Sequence, residues 1–244
     1  MELWSKRAIF ALENKTDMKH GFTTYPVSSR VLSSLLCTFL LPGCFPAQEQ
    51  TSVNGVELQH GDLLFCVESA DEGLADAISS VTTGAEGAKV VHVAIACQDG
   101  DAMKVLEATP AHGVWITSLE AFLESTEKDE QGQPQVLVGR LRDTLGIAAS
   151  VAHAHEFIGL SYDTLYMPDA SQIYCSELVQ LSYHRPDGSA VFSTIPMSFS
   201  DNSGQIAPYW QKLYDSRGLP VPEGLPGTNP GALSRDGAIM LIYK

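Results

Sequence analysis

Cys175 opens a segment with helical spacing. Across Ser176 to Tyr183, Leu178, Leu181 and, one row over, Val179 share a face, and Arg185-Pro186-Asp187-Gly188 ends the run. The cysteine therefore falls on the first turn of a helix. There the unpaired backbone N–H groups and the positive end of the helix dipole favour an anion. A thiolate is such an anion, and it is the nucleophilic form of cysteine. A free cysteine is also commonly a small buried apolar residue, so the reading depends on partners.

A cysteine nucleophile needs a base, and the base needs an orienting group. Lys89-Val90-Val91-His92-Val93-Ala94-Ile95-Ala96-Cys97 reads as a strand buried on both faces, with one imidazole in it. Asp99-Gly100 is a two-residue hairpin signal of type I′, and Ala102 to Ala108 is the return strand. With Asp99 and Gly100 as the turn, His92 faces Glu107, Ala94 faces Val105 and Ala96 faces Met103. Directly opposed side chains have Cβ atoms about 4.5–5.5 Å apart. A carboxylate at that distance fixes the histidine tautomer and stabilises the imidazolium.

These residues resemble the YiiX/YebB-like branch of the NlpC-type, papain-like cysteine hydrolases, in which the papain fold is circularly permuted and the histidine precedes the cysteine. Gly61-Asp62-Leu63-Leu64-Phe65 resembles the strand that opens the domain. Val91 to Ile95 resembles the histidine strand, and Val105-Leu106-Glu107-Ala108 the strand with the third polar residue. Gly159-Leu160-Ser161-Tyr162-Asp163 resembles the segment before the cysteine, with Ser161 where the family usually has proline. Pro226-Gly227-Thr228-Asn229-Pro230-Gly231, followed by Leu233-Ser234-Arg235, resembles the family's tail. The likeness covers roughly residues 55–244. It implies Cys175 as nucleophile, His92 as base, Glu107 as orienting carboxylate and Tyr162 as a hydroxyl near the oxyanion, with no cofactor. The Cys175 N–H, at the helix start, is a second oxyanion donor.

The chain has 244 residues, 44% of them hydrophobic, enough for one domain with extensions. Its formal net charge is −14. Residues 1–43 carry five Lys/Arg and three Asp/Glu, so the acidity lies entirely in the remainder. Such a surface argues against nucleic-acid binding, which depends on basic contacts.

Residues 1–43 read as a targeting segment. Lys19 and Arg30 precede an apolar run from Val31 to Leu41, too short to span a bilayer. Leu41-Pro42-Gly43-Cys44 resembles a bacterial lipobox, which predicts a lipid anchor at Cys44 and a lipoprotein of the cell envelope facing the periplasm. Cleavage near Ala47, giving a free periplasmic or secreted protein, is the alternative. Translation could start at Met1 or Met18. Residues 44–54 are expected to be a tether and 55–244 the folded domain. Cys66 and Cys97 end apolar strands and read as buried thiols rather than a disulfide pair.

Coarse periodicity places helices at Asp71–Val81, Leu119 to about Ser125 behind a Thr117-to-Glu120 capping box, Thr144–Phe157, Cys175 onward and Gln205–Tyr214. Strands fall at Val56–Val67, 89–108, Val114–Ile116, Gln135–Leu141 and Ala238–Tyr243. Helices mixed with antiparallel strands predict an α+β fold, an antiparallel sheet or barrel packed against helices. The proline- and glycine-rich segment 219–231 either walls the cleft or packs on the surface. His153-Ala154-His155-Glu156 lacks metal-site spacing, and Gly84 to Lys89 is not a phosphate loop because a strand follows it. His112 reads as an exposed loop histidine, with a place in the cleft as the alternative. No Gly-x-Ser-x-Gly elbow is present.

The expected activity is hydrolysis of an amide through a Cys-His-Glu mechanism, on a cell-wall peptide or another short amide. Two alternatives stand beside it. One is acyl chemistry on a lipid-like amide or ester, as in the related lecithin:retinol acyltransferase-like enzymes. The other is a catalytically silent binding module of the envelope.

Overall fold

The computed structural model describes residues 50–68, 73–168, 171–201 and 203–243. The expected targeting segment, Cys44 and the start of the tether lie outside them. Among the described residues, ten strands and six α-helices follow in chain order: β1 Ser52–Val53, β2 Val56–Glu57, β3 Leu63–Val67, α1 Gly73–Val81, β4 Val90–Asp99, β5 Ala102–Thr109, β6 Gly113–Ser118, α2 Leu119–Ser125, β7 Val136–Leu141, α3 Ile147–Glu156, α4 Cys175–Ser182, β8 Ile195–Pro196, α5 Pro208–Arg217, β9 Pro226–Gly227, α6 Pro230–Ser234 and β10 Ile239–Ile242. Six strands form one antiparallel sheet in the order β10-β7-β3-β4-β5-β6. The fold is α+β, as expected.

Alternation along the strands builds two cores. Leu63, Phe65, Val93 and Ile95 meet α3 and α4 through Val151, Ala154, Leu178 and Val179. Leu64, Ala94, Ala96 and Val105 face the other way, onto Leu119, Phe122 and Leu123 of α2. β4 lies centrally and its apolar residues are buried on both faces, which accounts for its near-continuous hydrophobic run.

Polar residues lock the frame around the strand that opens the domain. Asp62 is buried and takes two hydrogen bonds from Arg140 of β7, at 2.8 and 2.7 Å. Such a forked pair fixes orientation as well as charge. The Tyr183 hydroxyl, at the end of α4, donates to the Gly61 carbonyl at 3.0 Å. The Gly-Asp motif thus holds α4 and β7 to β3.

Several boundaries differ from the sequence reading. Asn54 and Gly55 both have positive φ (49° and 76°) and turn β1 back onto β2. Val53 and Val56 are buried in the α2-side core, so folded structure begins inside the segment read as tether. Ser118, not Thr117, caps α2: its hydroxyl accepts the Ala121 N–H at 3.1 Å.

Candidate active site

The hairpin of β4 and β5 places the imidazole and its carboxylate. Its register is not the expected one. Asp99 pairs with Ala102 and Ile95 with Leu106, so Gly100 and Asp101 form the turn. Gly100 alone of these two has positive φ (61°), the pattern of a type II′ turn with glycine first rather than type I′. The ladder therefore runs two residues out of the expected pairing. Carried onward, it sets Thr109 rather than Glu107 opposite His92, and Ala94 and Ala96 likewise change partners. A shift of two preserves the face, where a shift of one would have reversed it. His92 and Glu107 meet on the diagonal: Nε2 lies 2.7 Å from Oε2.

The row extends to both sides. Cys66 of β3 lies directly opposite His92, and Trp115 of β6 directly opposite Glu107. Cys66, His92, Glu107 and Trp115 thus cross four adjacent strands near one end of the sheet.

Cys175 begins α4, as its spacing predicts, with Tyr174 as N-cap. Its thiol is hydrogen-bonded to His92 and receives the backbone N–H groups of Val93 and Ser176. Burial pushes this thiol up, but the hydrogen bond and charge of His92, with those two N–H groups, outweigh it and leave it below the ordinary thiol value. For His92, burial opposes the charge, while hydrogen bonds to Cys175 and Glu107 favour it and raise its pKa to about 10. The two directions agree in favouring a thiolate–imidazolium pair. The other described cysteines behave oppositely. Burial and neighbouring carboxylates push Cys66 up, and burial with Asp99 lifts Cys97 to about 11. All three thiols are free and buried, as Cys66 and Cys97 were expected to be.

Tyr162 is carried by a strand-like segment wedged between β6 and the approach to Cys175. Val114 donates to the Leu160 carbonyl at 2.9 Å, and Ile173 to the Ser161 carbonyl at 3.0 Å. Gly113 permits this closeness, since a Cβ there would lie 2.2 Å from the Leu160 oxygen. The Tyr162 hydroxyl reaches Cys175 and lies 3.4 Å from that of Tyr166. Tyr166 sits at φ 51°, an uncommon conformation for a bulky residue. The buried Asp163 carboxylate braces the turn by accepting the N–H groups of Leu165 (2.8 Å) and Met167 (2.6 Å). Tyr174 is used differently: its hydroxyl accepts the Thr228 N–H at 3.1 Å.

All four residues singled out in the sequence therefore converge. The Val93 and Ser176 N–H groups, Tyr166 and Asp163 were not singled out. The positive φ of Tyr166 has no sequence signal, whereas Ser176 follows directly from the helix start.

Two cavities flank the pair. One, about 410 Å³, adjoins His92, Glu107 and Tyr162, and its walls include Leu74, Ile78, Phe122 and Trp115. His112 lies at its rim, exposed and stacked on Trp115 with ring centres 4.0 Å apart. It is thus both exposed and at the cleft, the two places its sequence position left open. The other cavity, about 30 Å³, adjoins Cys175 and Ser176 and is closed by Thr228, Asn229 and Pro230. The end of segment 219–231 is thus a wall of the site. Among the described residues, no group of three or more His, Cys, Asp or Glu is placed to hold a metal ion.

The family described as "Permuted papain-like amidase enzyme, YaeF/YiiX, C92 family" matches residues 57–243. A similar solved structure is the one titled as the metalloprotein YiiX from Escherichia coli O157:H7. It is 19% identical, with TM-score 0.59, over 76% of this chain and 97% of that one, a likeness of fold. A search of curated proteins gives no match.

Proposed function

This chain belongs to the permuted papain-like amidases of the YaeF/YiiX type, the C92 family, and on that premise we propose that it cleaves a short amide through Cys175, His92, Glu107 and Tyr162. It is a papain-like cysteine hydrolase. The observation that carries the mechanistic reading is the thiol held between His92 and the helix start, with Glu107 2.7 Å behind the imidazole.

In this reading the Cys175 thiolate attacks the amide carbonyl carbon. The oxygen, becoming an oxyanion, receives the Tyr162 hydroxyl and the Cys175 N–H. The imidazolium of His92 gives its proton to the amide nitrogen as the C–N bond breaks, and the amine leaves. A water molecule then loses its proton to neutral His92 and attacks the thioester, releasing a carboxylic acid and the thiol. Glu107 holds the imidazole throughout and stabilises its positive charge in the steps where it is protonated. A cell-wall peptide or another short amide is the substrate class, and the apolar walls of the larger cavity favour one with an apolar group. Those same walls would accept the chain of a lipid-like amide or ester, the second reading.

Iodoacetamide tests the nucleophile. At neutral pH it is expected to label Cys175 ahead of Cys66 and Cys97, because only Cys175 is shifted toward the thiolate. A lowered pKa keeps the thiolate as pH falls below 9, so the labelling rate at Cys175 should persist there while an ordinary thiol slows. Peptide mapping that finds all three labelled equally in the folded protein would remove the basis for the mechanism.

The envelope location completes the proposal. Leu41-Pro42-Gly43-Cys44 makes Cys44 the lipidated first residue of the mature protein. Cys44→Ser is expected to release the protein from the membrane fraction or leave it uncleaved. A native N-terminus near Gln48, unmodified by mass spectrometry, would instead establish a free protein.

A further inference from the structure

The two cavities divide the site between the two halves of an amide. His92 delivers the proton to the departing nitrogen, so whatever that nitrogen carries lies on the His92 side of the sulfur. The larger cavity is lined by His92 and Glu107, the small one by Cys175 and Ser176. The space of about 30 Å³ beside Cys175 is much the smaller, whereas one of about 410 Å³ lies in the range of small-molecule sites.

Apart from His92, the charge of the larger cavity is one-sided. Besides Glu107, which is committed to His92, its lining includes the Glu68 carboxylate and, among the described residues, no lysine or arginine. Lys128, two residues beyond the lining residue Thr126, directs its ammonium to the Leu123 and Thr126 carbonyls and the Thr126 hydroxyl. Burial and the like charge of Glu127 push the Glu68 carboxyl up, against the pull of His92, so this carboxylate is already costly to hold. A second anion beside it would meet the Glu68 carboxylate, with the His92 charge already shared between Glu107 and Cys175, while an apolar group would meet Leu74, Ala75, Ile78 and Phe122.

We propose that the larger cavity receives the leaving-amine half of the substrate, and that Glu68 makes it selective for uncharged apolar amines over anionic ones. The proposal rests on Cys175 as nucleophile. The bond made is Cys175 sulfur to acyl carbon, the bond broken is acyl carbon to nitrogen, and the imidazolium proton leaves on the amine.

Three probes with one acyl group and different leaving amines test it: acetyl-glycyl-leucinamide, acetyl-glycyl-glutaminamide and the α-amide of acetyl-glycyl-glutamate. Single-turnover acylation with enzyme in excess is expected to be fastest for leucinamide, roughly 10- to 100-fold over glutaminamide, as burial of a leucine-sized group allows. The glutamate amide should be at least tenfold slower than glutaminamide, and Glu68→Lys should close or reverse that gap. Deacylation should be identical for all three, because they share one acyl-enzyme. Protection of Cys175 from iodoacetamide by leucinamide, compared with the α-amide of glutamate, reports the same preference without turnover and in the same order. A second probe set varies the acyl group before one leaving amine. If it carries the discrimination and the response to Glu68→Lys, or if acylation and protection are equal across the first set, the proposal is overturned. Cys175→Ser separates the two failures. Probes cleaved equally well by that variant would defeat the nucleophile, whereas loss of cleavage without leaving-group dependence would defeat the cavity assignment alone.

Discussion

Cys175→Ser is expected to lower turnover of an amide substrate on the order of 10⁶-fold, the loss that follows removal of an activated nucleophile. Serine differs by one atom at a buried position, so the fold should persist. The chemistry should not, because the surroundings that draw this thiol toward its anion fall far short of ionising an alcohol. The variant also reports on the histidine. The hydrogen bond to Cys175 is the first of the influences that raise His92 to about 10. Without the thiolate the imidazole should titrate lower, visible in an NMR titration of the His92 ring. A melting curve close to the native one confirms that only the chemistry has changed. Turnover within tenfold of native would show that the acyl group is carried elsewhere.

The site was legible wherever a local pattern carried the information. Helical spacing after Cys175 placed the thiol on a first turn, and the hairpin put His92 and Glu107 on one sheet face. The pairing itself was off by two residues, because glycine at position 100 satisfies the first place of a II′ turn as readily as the second place of a I′ turn. Face assignment survived only because side chains alternate with period two. The Asn54-Gly55 turn carried a strong hairpin signal, yet the polar residues before it read as a tether; burial of Val53 depends on α2, far away in sequence. Segment 219–231 lacks periodicity, so its place beside Cys175 came only with the Thr228–Tyr174 hydrogen bond. The larger cavity is illegible for a similar reason: Glu68, Ile78, Phe122 and His112 come from four separate stretches. Three tyrosines stand within 13 residues, and only the backbone pairing of 159–163 selects Tyr162 as the one at the sulfur.

Removing one charge behind the histidine is the second large effect. Glu107→Gln keeps the length and shape of the side chain, and its amide oxygen can still accept a hydrogen bond from His92. What it loses is the negative charge 2.7 Å from Nε2 that stabilises the imidazolium. Turnover should fall steeply, at most about 10⁴-fold, the cost of the equivalent change in serine proteases. Because Glu107 is one of the two partners that raise His92, the basic limb of the kcat/KM profile should move down from about pH 10. The Cys175 thiol, held low mainly by that imidazolium, should rise, and its iodoacetamide labelling at neutral pH should slow. These shifts separate an orienting carboxylate from a merely structural one, which would lower stability and leave both profiles where they are. Full activity with an unmoved basic limb would make Glu107 a packing residue and leave His92 to act with the thiol alone.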